Sequence, residues 1–424
     1  MNAEIKNTDS SHRDVRFNAI INILEGAFAG SGYGFASFIT IIPLFVSQLT
    51  DSAILIGLIP AIHEVGFQLP QLLTVGKVRK LSRYKPMVLM MTLHERLPFF
   101  GLALVAYFLP RLENNTALVL VFGLLIWQGL GGGLTATVWQ SMLGKIVPNT
   151  WHGRFFGAQS SASNLLASGS AIVAGQILDR FASPIDFTLC FLLAGLGFMI
   201  SQGILGTVRE DAHTPAQAQG DRSQTWADLK RLLKRDRGFR RFLSVRIICQ
   251  VGMVATSYYA VYTVGELGVS ASLVGWLTGV LIFLEMLFNP LFGYLGDRKG
   301  HRLVLFIGTI AAMISAALAG WTTSIPGWFL VFGLTGIGYV SAWTTSMVIS
   351  LEFGSRADKP MYVALSNTLL APATLVAPFL ASWCIESYGY STLFRASAAV
   401  YLIAVLWSFS LLRMGMKDKA IVGA

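Results

Sequence analysis

Charged residues are scarce in this sequence: Asp, Glu, Lys and Arg make up 13% of its 424 residues. A soluble domain carries roughly 25%, so a water-facing globule of this length has too little charge to cover it. That disfavours large soluble enzymes, nucleic-acid-binding domains and disordered scaffolds. Cysteine is nearly missing too. Cys190, Cys249 and Cys384 each sit inside an apolar run, which leaves no secreted disulfide framework. The six histidines (His12, His63, His94, His152, His213 and His301) show no His-x3-His or Cys-His pairing, so no metal site is expected. Gly144-Lys145 is followed by Ile146, and no Gly-x4-Gly-Lys-Ser/Thr loop exists to cradle a nucleotide. Neither a cofactor nor an enzymatic constellation is expected.

What fills the chain is apolar. Hydrophobic residues make up 54%, and the mean hydropathy is +0.60. Crossing ~30 Å of hydrocarbon takes roughly 20 apolar residues in a helix. Runs near that length recur at 17–46, 52–75, 86–109, 116–143, 155–177, 185–207, 240–264, 271–295, 303–321, 327–350, 361–384 and 391–412. In lipid these twelve spans must be helices, because a helix satisfies its backbone polar groups within one segment. The expected fold class is all-α, a polytopic membrane protein. The first sixteen residues are polar (Asn2, Glu4, Lys6, Asp9, Arg13, Asp14, Arg16), so no cleaved signal peptide is expected.

An even number of spans puts both termini on one side, and the basic residues say which. Of 32 Lys and Arg residues, 27 fall in the tails and in the alternate loops 77–85, 145–154, 207–241, 297–302 and 352–359. The opposite loops hold only Arg111 and Arg180, while Arg96, Arg246 and Arg395 lie within spans. Under the positive-inside rule the basic side, with both termini, is cytoplasmic. The net charge of +10 then orients the chain against an anionic leaflet, and no nucleic-acid partner is expected. The expected location is the plasma membrane, which in a bacterium is the inner membrane.

The longest polar stretch, 208–238, divides the chain. The expected organisation is an N-tail 1–16, a six-helix bundle 17–207, a cytoplasmic linker 208–239, a second six-helix bundle 240–412 and a C-tail 413–424. Within the linker, Trp226, Leu229, Leu232 and Leu233 share one helical face, with Lys230, Arg231, Lys234 and Arg235 mostly opposite. That pattern reads as a helix lying on the inner membrane surface or as a solvated charged connector. The two halves echo each other. Thr50-Asp-Ser-Ala-Ile-Leu-Ile-Gly57 resembles Gly268-Val-Ser-Ala-Ser-Leu-Val-Gly275. Spans four and ten each carry a glycine cluster followed by a tryptophan and a Ser-Met pair (Trp139, Ser141-Met142; Trp343, Ser346-Met347). Such collinear matches suggest a parallel repeat of six spans, a design used by secondary transporters.

Between spans eight and nine stands Gly293-Tyr-Leu-Gly-Asp297-Arg298-Lys299-Gly300-His301-Arg302. It resembles the Gly-x-x-x-Asp-Arg-x-Gly-Arg-Arg loop of the major facilitator superfamily. With twelve spans and two repeats, the resemblance covers about residues 17–412. It implies two pseudo-symmetric six-helix bundles, a small-molecule substrate and a monomer. Spans one, four, seven and ten would line a central cavity. It further implies a conformational latch in which Asp297 meets the start of span five near Arg154, with Gly293 and Gly300 allowing close helix approach and a tight turn. Glu352 would pair with Arg298 or Arg302. The matching loop of the first half departs from the pattern, with Val75, Arg79 and Ser82 in place of Gly293, Asp297 and Gly300. Two signatures of proton-driven drug export are missing as well: Leu125 stands where many proton-coupled members have an arginine, and span five lacks a Gly-Pro pair.

Ionisable residues inside spans are functional candidates by default, because each costs a few kcal/mol to insert. Glu25 leads, on a polar stripe with Asn18 and Asn22, beside Gly26, Ala29 and Gly32, which leave room for a ligand. Arg246 and Gln250 share a face of span seven at a similar depth, so Arg246 is the expected counter-charge to Glu25. Glu64, between Pro60 and Pro70, reads as a protonation site or as a buried hydrogen-bonded acid. Glu285 stands alone in span eight, and His94-Glu95-Arg96 reads as a local salt bridge. Aromatic residues on the cavity-lining spans, among them Trp139, Tyr258, Tyr339 and Trp343, favour a large amphipathic ligand over a small sugar. The function expected is secondary active transport: proton-coupled outward movement (antiport) of small amphipathic organic molecules by alternating access. The rival is a proton- or cation-coupled importer of a sugar, nucleoside or organic acid.

Overall fold

The computed structural model describes residues 2–70, 78, 81–148, 152–212, 236–353 and 359–422. Among them there is no strand, and the described parts of the twelve apolar runs are mostly helical. In chain order the helices are α1 (Asn2–Phe35), α2 (Ile41–Ser47), α3 (Ala53–Gln68), α4 (Lys85–Phe108), α5 (Asn114–Ile146), α6 (His152–Arg180) and α7 (Ile185–Leu205). There follow α8 (Arg237–Met253), α9 (Tyr259–Gly265), α10 (Ala271–Lys299), α11 (His301–Ala319) and α12 (Ile325–Val340). The last four are α13 (Ser346–Glu352), α14 (Lys359–Thr368), α15 (Ala371–Tyr388) and α16 (Tyr390–Val422). Nine helical stretches among the described residues are long and apolar enough to cross a membrane, and α3 is a shorter apolar helix. The chain is a multi-pass membrane protein.

Helix ends follow local chemistry. The Ser270 and Ser324 hydroxyls cap α10 and α12 by accepting from Leu273 N and Gly327 N. Asp236 caps α8 by accepting from Phe239 N at 2.9 Å. Gly300, with φ of 101°, ends α10 and lets α11 start at the next residue, a conformation that glycine adopts without steric cost.

The chain divides into two compact units, Met1–Ser37 with Ile62–Ala218, and Phe38–Ala61 with Gln219–Ala424. In the first, α1 packs along α6 and α7, and α4 along α5 and α7. In the second, α8 packs on α16, and α11 on α12 and α16. The pairs α1–α7, α4–α5 and α4–α7 of one unit thus recur as α8–α16, α11–α12 and α11–α16 of the other, a parallel repeat in packing as well as in sequence. Residues 38–61, expected with the first bundle, group with the second unit. There the Tyr258 hydroxyl donates to Ala53 O at 2.8 Å, and α9 packs against α2.

The seam between α1 and α6 is a zipper of small residues. A Cβ on Gly26 would strike the Gln159 side chain, on Gly30 the Ser163 carbonyl, and on Gly34 the Ala167 carbonyl. Both sets recur every fourth residue, which brings the two backbones together as small-residue stripes do in membranes. This corrects one expectation: Gly26 and Gly32 leave no room for a ligand, because Gln159 and the Phe198 ring fill the space beside them.

Candidate functional site

Two constellations of polar side chains stand out, one in each unit. In the first, Glu25 of α1 is 5% exposed. Its Oε1 accepts from Arg96 Nη2 at 2.8 Å and from Ser201 Oγ at 2.9 Å. Arg96, 4% exposed, also donates from Nη1 to Gln202 Oε1 at 2.6 Å and to Phe198 O at 3.2 Å. Thr92 Oγ1 donates to the same Gln202 oxygen. Charge-assisted bonds of this kind are short and strong. They join α1, α4 and α7 into one network.

A second strand of the network runs alongside. The Tyr33 hydroxyl donates to Glu95 Oε1 at 2.6 Å. The Tyr33 ring meets Phe198 edge-on at 4.8 Å and His63 at 6.1 Å. His63 Nδ1 lies 2.9 Å from Gln128 Oε1. Glu95 fits because Gly131 and Gly132 of α5 pass over it: a Cβ on Gly131 would collide with the His94–Glu95 backbone. The glycine cluster that marks the repeat therefore also seats a carboxylate.

Several expectations change here. Glu25 takes Arg96 as its partner, not Arg246. Arg96 reaches α1 and does not close a local bridge with Glu95, because adjacent helical residues do not face each other. Asn22 is fully buried; its amide donates to Asn18 O, and Gln159 donates to the Asn22 carbonyl. Glu64 is half-buried on α3. Trp139 packs against the core formed by Val138, Met142 and Phe155. Tyr258 is fully buried and donates to Ala53 O, and its neighbour Tyr259 lines a crevice of the second unit. Glu95 and Tyr33 are the pair that sequence reasoning passed over. Their signal was Gly131-Gly132, a close approach that needed something to approach.

The second constellation surrounds a crevice in the second unit, lined by Arg246, Gln250, Tyr339 and Trp343 among others. Arg246 Nη1 donates to Ser366 Oγ at 2.8 Å and Asn367 Oδ1 at 3.4 Å. Tyr339 and Thr256 share a hydroxyl–hydroxyl bond of 2.7 Å. Both helices that form this wall are irregular. A 3-10 segment, Val254–Tyr258, separates α8 from α9, and a π segment, Ser341–Thr345, separates α12 from α13. Glu285 lies half-buried on α10, and its carboxylate has no partner among the described residues.

At the loop motif, Glu352 pairs with His301 at 2.8 Å, not with Arg298 or Arg302. His301 Nε2 also lies 3.6 Å from Asp297 Oδ1. The imidazole stands between two carboxylates because Gly296 leaves room for the ring. Arg298 instead covers the Tyr294 ring at 4.4 Å. Gly293 has open space around it. The Arg154 side chain, Val75, Arg79 and the linker helix at 226–235 lie outside the described residues.

A clasp that the sequence did not announce joins three segments of the first unit. Glu210, its side chain 1% exposed, accepts from Lys145 Nζ at 2.8 Å. It also accepts from Tyr84 N and Lys85 N, the open amides at the start of α4. Burial pushes this carboxyl up, but the three donors outweigh it and hold it below its ordinary range.

The family model of the Major Facilitator Superfamily matches residues 244–422. Multidrug transporter protein MdtP of Bacillus subtilis is 25% identical over 144 residues, 34% of this chain and 26% of that protein. The "Probable 3-phenylpropionic acid transporter" of Escherichia coli K12 is 24% identical over 287 residues, 60% of this chain and 73% of that one. The match to MdtP thus spans about a quarter of that relative's length. The fold of nucleoside transporter NupG superposes with a TM-score of 0.74 at 12% identity, covering 93% of this chain and 99% of that one. Packing repeat, loop motif, relatives and fold point the same way: the second half of the chain matches the Major Facilitator Superfamily model, and the whole chain is similar in fold to its transporters.

Proposed function

We propose that this protein is a secondary active transporter that moves small amphipathic organic molecules across the plasma membrane by alternating access, coupled to protons, with both termini in the cytoplasm. The observation that carries the reading is the buried Glu25–Arg96 pair with Tyr33–Glu95 beside it. A buried ion pair adds little stability over a well-packed apolar one, so two acids around one arginine within a membrane-embedded bundle argue for use. A proton arriving on Glu25 would release the Arg96 guanidinium from its ion pair, and that is the minimum a coupling device requires. The names of the relatives span drugs and an aromatic acid, which suits an amphipathic cargo.

Outward movement against incoming protons is the first reading. Import of an organic acid with protons is the second, favoured by the relative named for an aromatic acid. Proteoliposomes loaded with a pH-sensitive dye separate them. In the first reading, adding substrate on the substrate-loading side drives protons the opposite way; in the second, proton and substrate enter together. Glu25→Gln is expected to abolish proton movement while leaving substrate counterflow measurable. Full proton coupling in both Glu25→Gln and Glu95→Gln would overturn the reading.

A further inference from the structure

We propose that Glu95 holds the ammonium group of an organic amine, in a cradle that α3, α4 and α5 of the first unit form around its carboxylate. The transported molecule is then a small amphipathic cation. At 3.6 residues per turn, Glu95 falls on the same face of α4 as the buried Val88, Phe99 and Leu102, away from the exposed Met90 and Leu97. It is nonetheless only half-buried, so the carboxylate borders open space on the packed side of its helix. An acid within a span is costly and marks function. Its neighbours leave its charge in place. Glu25 and Arg96 neutralise each other at 2.8 Å, and His63, the other titratable group beside Tyr33, turns Nδ1 to Gln128. Among the described residues no Lys, Arg or His lies within ion-pair distance of Glu95. Oε1 accepts from the Tyr33 hydroxyl at 2.6 Å, and Oε2 accepts from no described residue.

The glycines of α5 supply an independent argument, because two neighbours differ. Gly131 is required for packing, since a Cβ there would collide with the His94–Glu95 backbone. Gly132 is not. A Cβ on Gly132 would meet nothing nearer than 3.6 Å, and what it meets is Glu95 Cδ, Glu95 Oε1 and the Phe67 ring. Alanine would fit at 132 and favours a helix more than glycine does, so glycine there keeps a gap the size of a methyl group. A carboxylate stands on one side of that gap and an aromatic ring on the other. A substituted ammonium suits both walls: it donates a charge-assisted hydrogen bond to the acid and is attracted to aromatic faces. Tyr33 fixes the carboxylate for it, with its own ring set edge-on against Phe99 and Phe198. An anion is repelled by Glu95, and a neutral group leaves the charge unanswered.

The word "transported" rests on the function proposed above, but the test is of binding. Purified full-length protein in nanodiscs of zwitterionic lipid is titrated near neutral pH with benzylamine, with its neutral counterpart benzyl alcohol and with benzoate, following tryptophan fluorescence and thermal unfolding. Saturable binding of benzylamine alone is expected. Glu95→Gln keeps an oxygen for the Tyr33 hydroxyl and removes the charge; it is expected to weaken binding by about tenfold or more, the scale of one charged hydrogen-bond partner. Gly132→Ala fills the gap without a clash and is expected to weaken binding likewise, with no loss of thermal stability in the ligand-free protein. Gly123→Ala on the same helix, where a Cβ meets nothing, is the matched control and leaves affinity as it is. If Glu95→Gln does not fold, Gly132→Ala decides. Equal binding of benzylamine and benzyl alcohol, or benzylamine affinity unchanged in Glu95→Gln or in Gly132→Ala, would overturn the proposal. Benzylamine binding with the expected losses but without any flux in proteoliposomes would sink the transport reading alone. Proton-coupled flux of neutral or anionic compounds that is indifferent to Gly132→Ala would sink the amine site alone.

Discussion

At the scale of single residues, the Glu25–Arg96 contact sets the sharpest expectation. Both side chains are almost wholly buried, so removing either one strands the other charge. Glu25→Gln or Arg96→Gln alone is expected to cost about 3–5 kcal/mol of stability, and the double variant distinctly less than the two singles together. A double-mutant cycle on thermal unfolding in nanodiscs measures this; additive losses would mean the two side chains do not interact. That Glu25 is an acid within a span was legible in the sequence, because such a residue is rare and costly there. Its partner was not. Residues 25 and 96 come from different helices, and nothing local fixes how far each helix is turned about its own axis. The same ignorance hid the pairing of Tyr33 with Glu95 and that of Tyr258 with Ala53.

At the scale of elements, the Glu210 clasp joins the start of α4, the end of α5 and the segment after α7. The carboxyl is held below its ordinary value of 4.5, so the sign of its pH dependence is set. Its contribution is complete above that value and disappears as pH falls through the lower, folded one. Protection of the Tyr84 and Lys85 amides, relative to their intrinsic exchange at each pH, is expected to fall on acidification below that range. Glu210→Gln should remove most of this pH dependence and lose about 1.5–3 kcal/mol of local protection. A pH response unaltered by Glu210→Gln would place the titrating group elsewhere. The elements themselves were legible, since lipid forces an apolar run of sufficient length to be a helix. Their interruptions were not: the π segment Ser341–Thr345 reads in sequence like any other apolar stretch. The loop motif was visible for a similar reason, because glycine and charge at a helix junction are rare. The partner it found for Glu352 was nonetheless a histidine, not an arginine.

At the scale of the whole molecule, the basic loops predict topology. With native cysteines replaced, Arg83→Cys and Arg298→Cys should react only with a thiol reagent admitted to the cytoplasmic side, and Glu113→Cys only with one added outside. Residues 83 and 298 reacting from opposite sides would break the positive-inside assignment and the repeat with it. The repeat was readable from faint sequence matches because packing preserves it: the same three helix pairings recur in each unit. What sequence could not settle was the membership of residues 38–61, which pack with the second unit through α9 on α2 and the Tyr258 bond to Ala53.

The glycine seam of α1 carries a mechanical consequence. With Gly30 and Gly34 lying on the carbonyls of Ser163 and Ala167, α1 has no slack to spin or slide against α6. Any displacement that brings Glu25 to water must therefore haul both helices together, like two rails bolted to common sleepers.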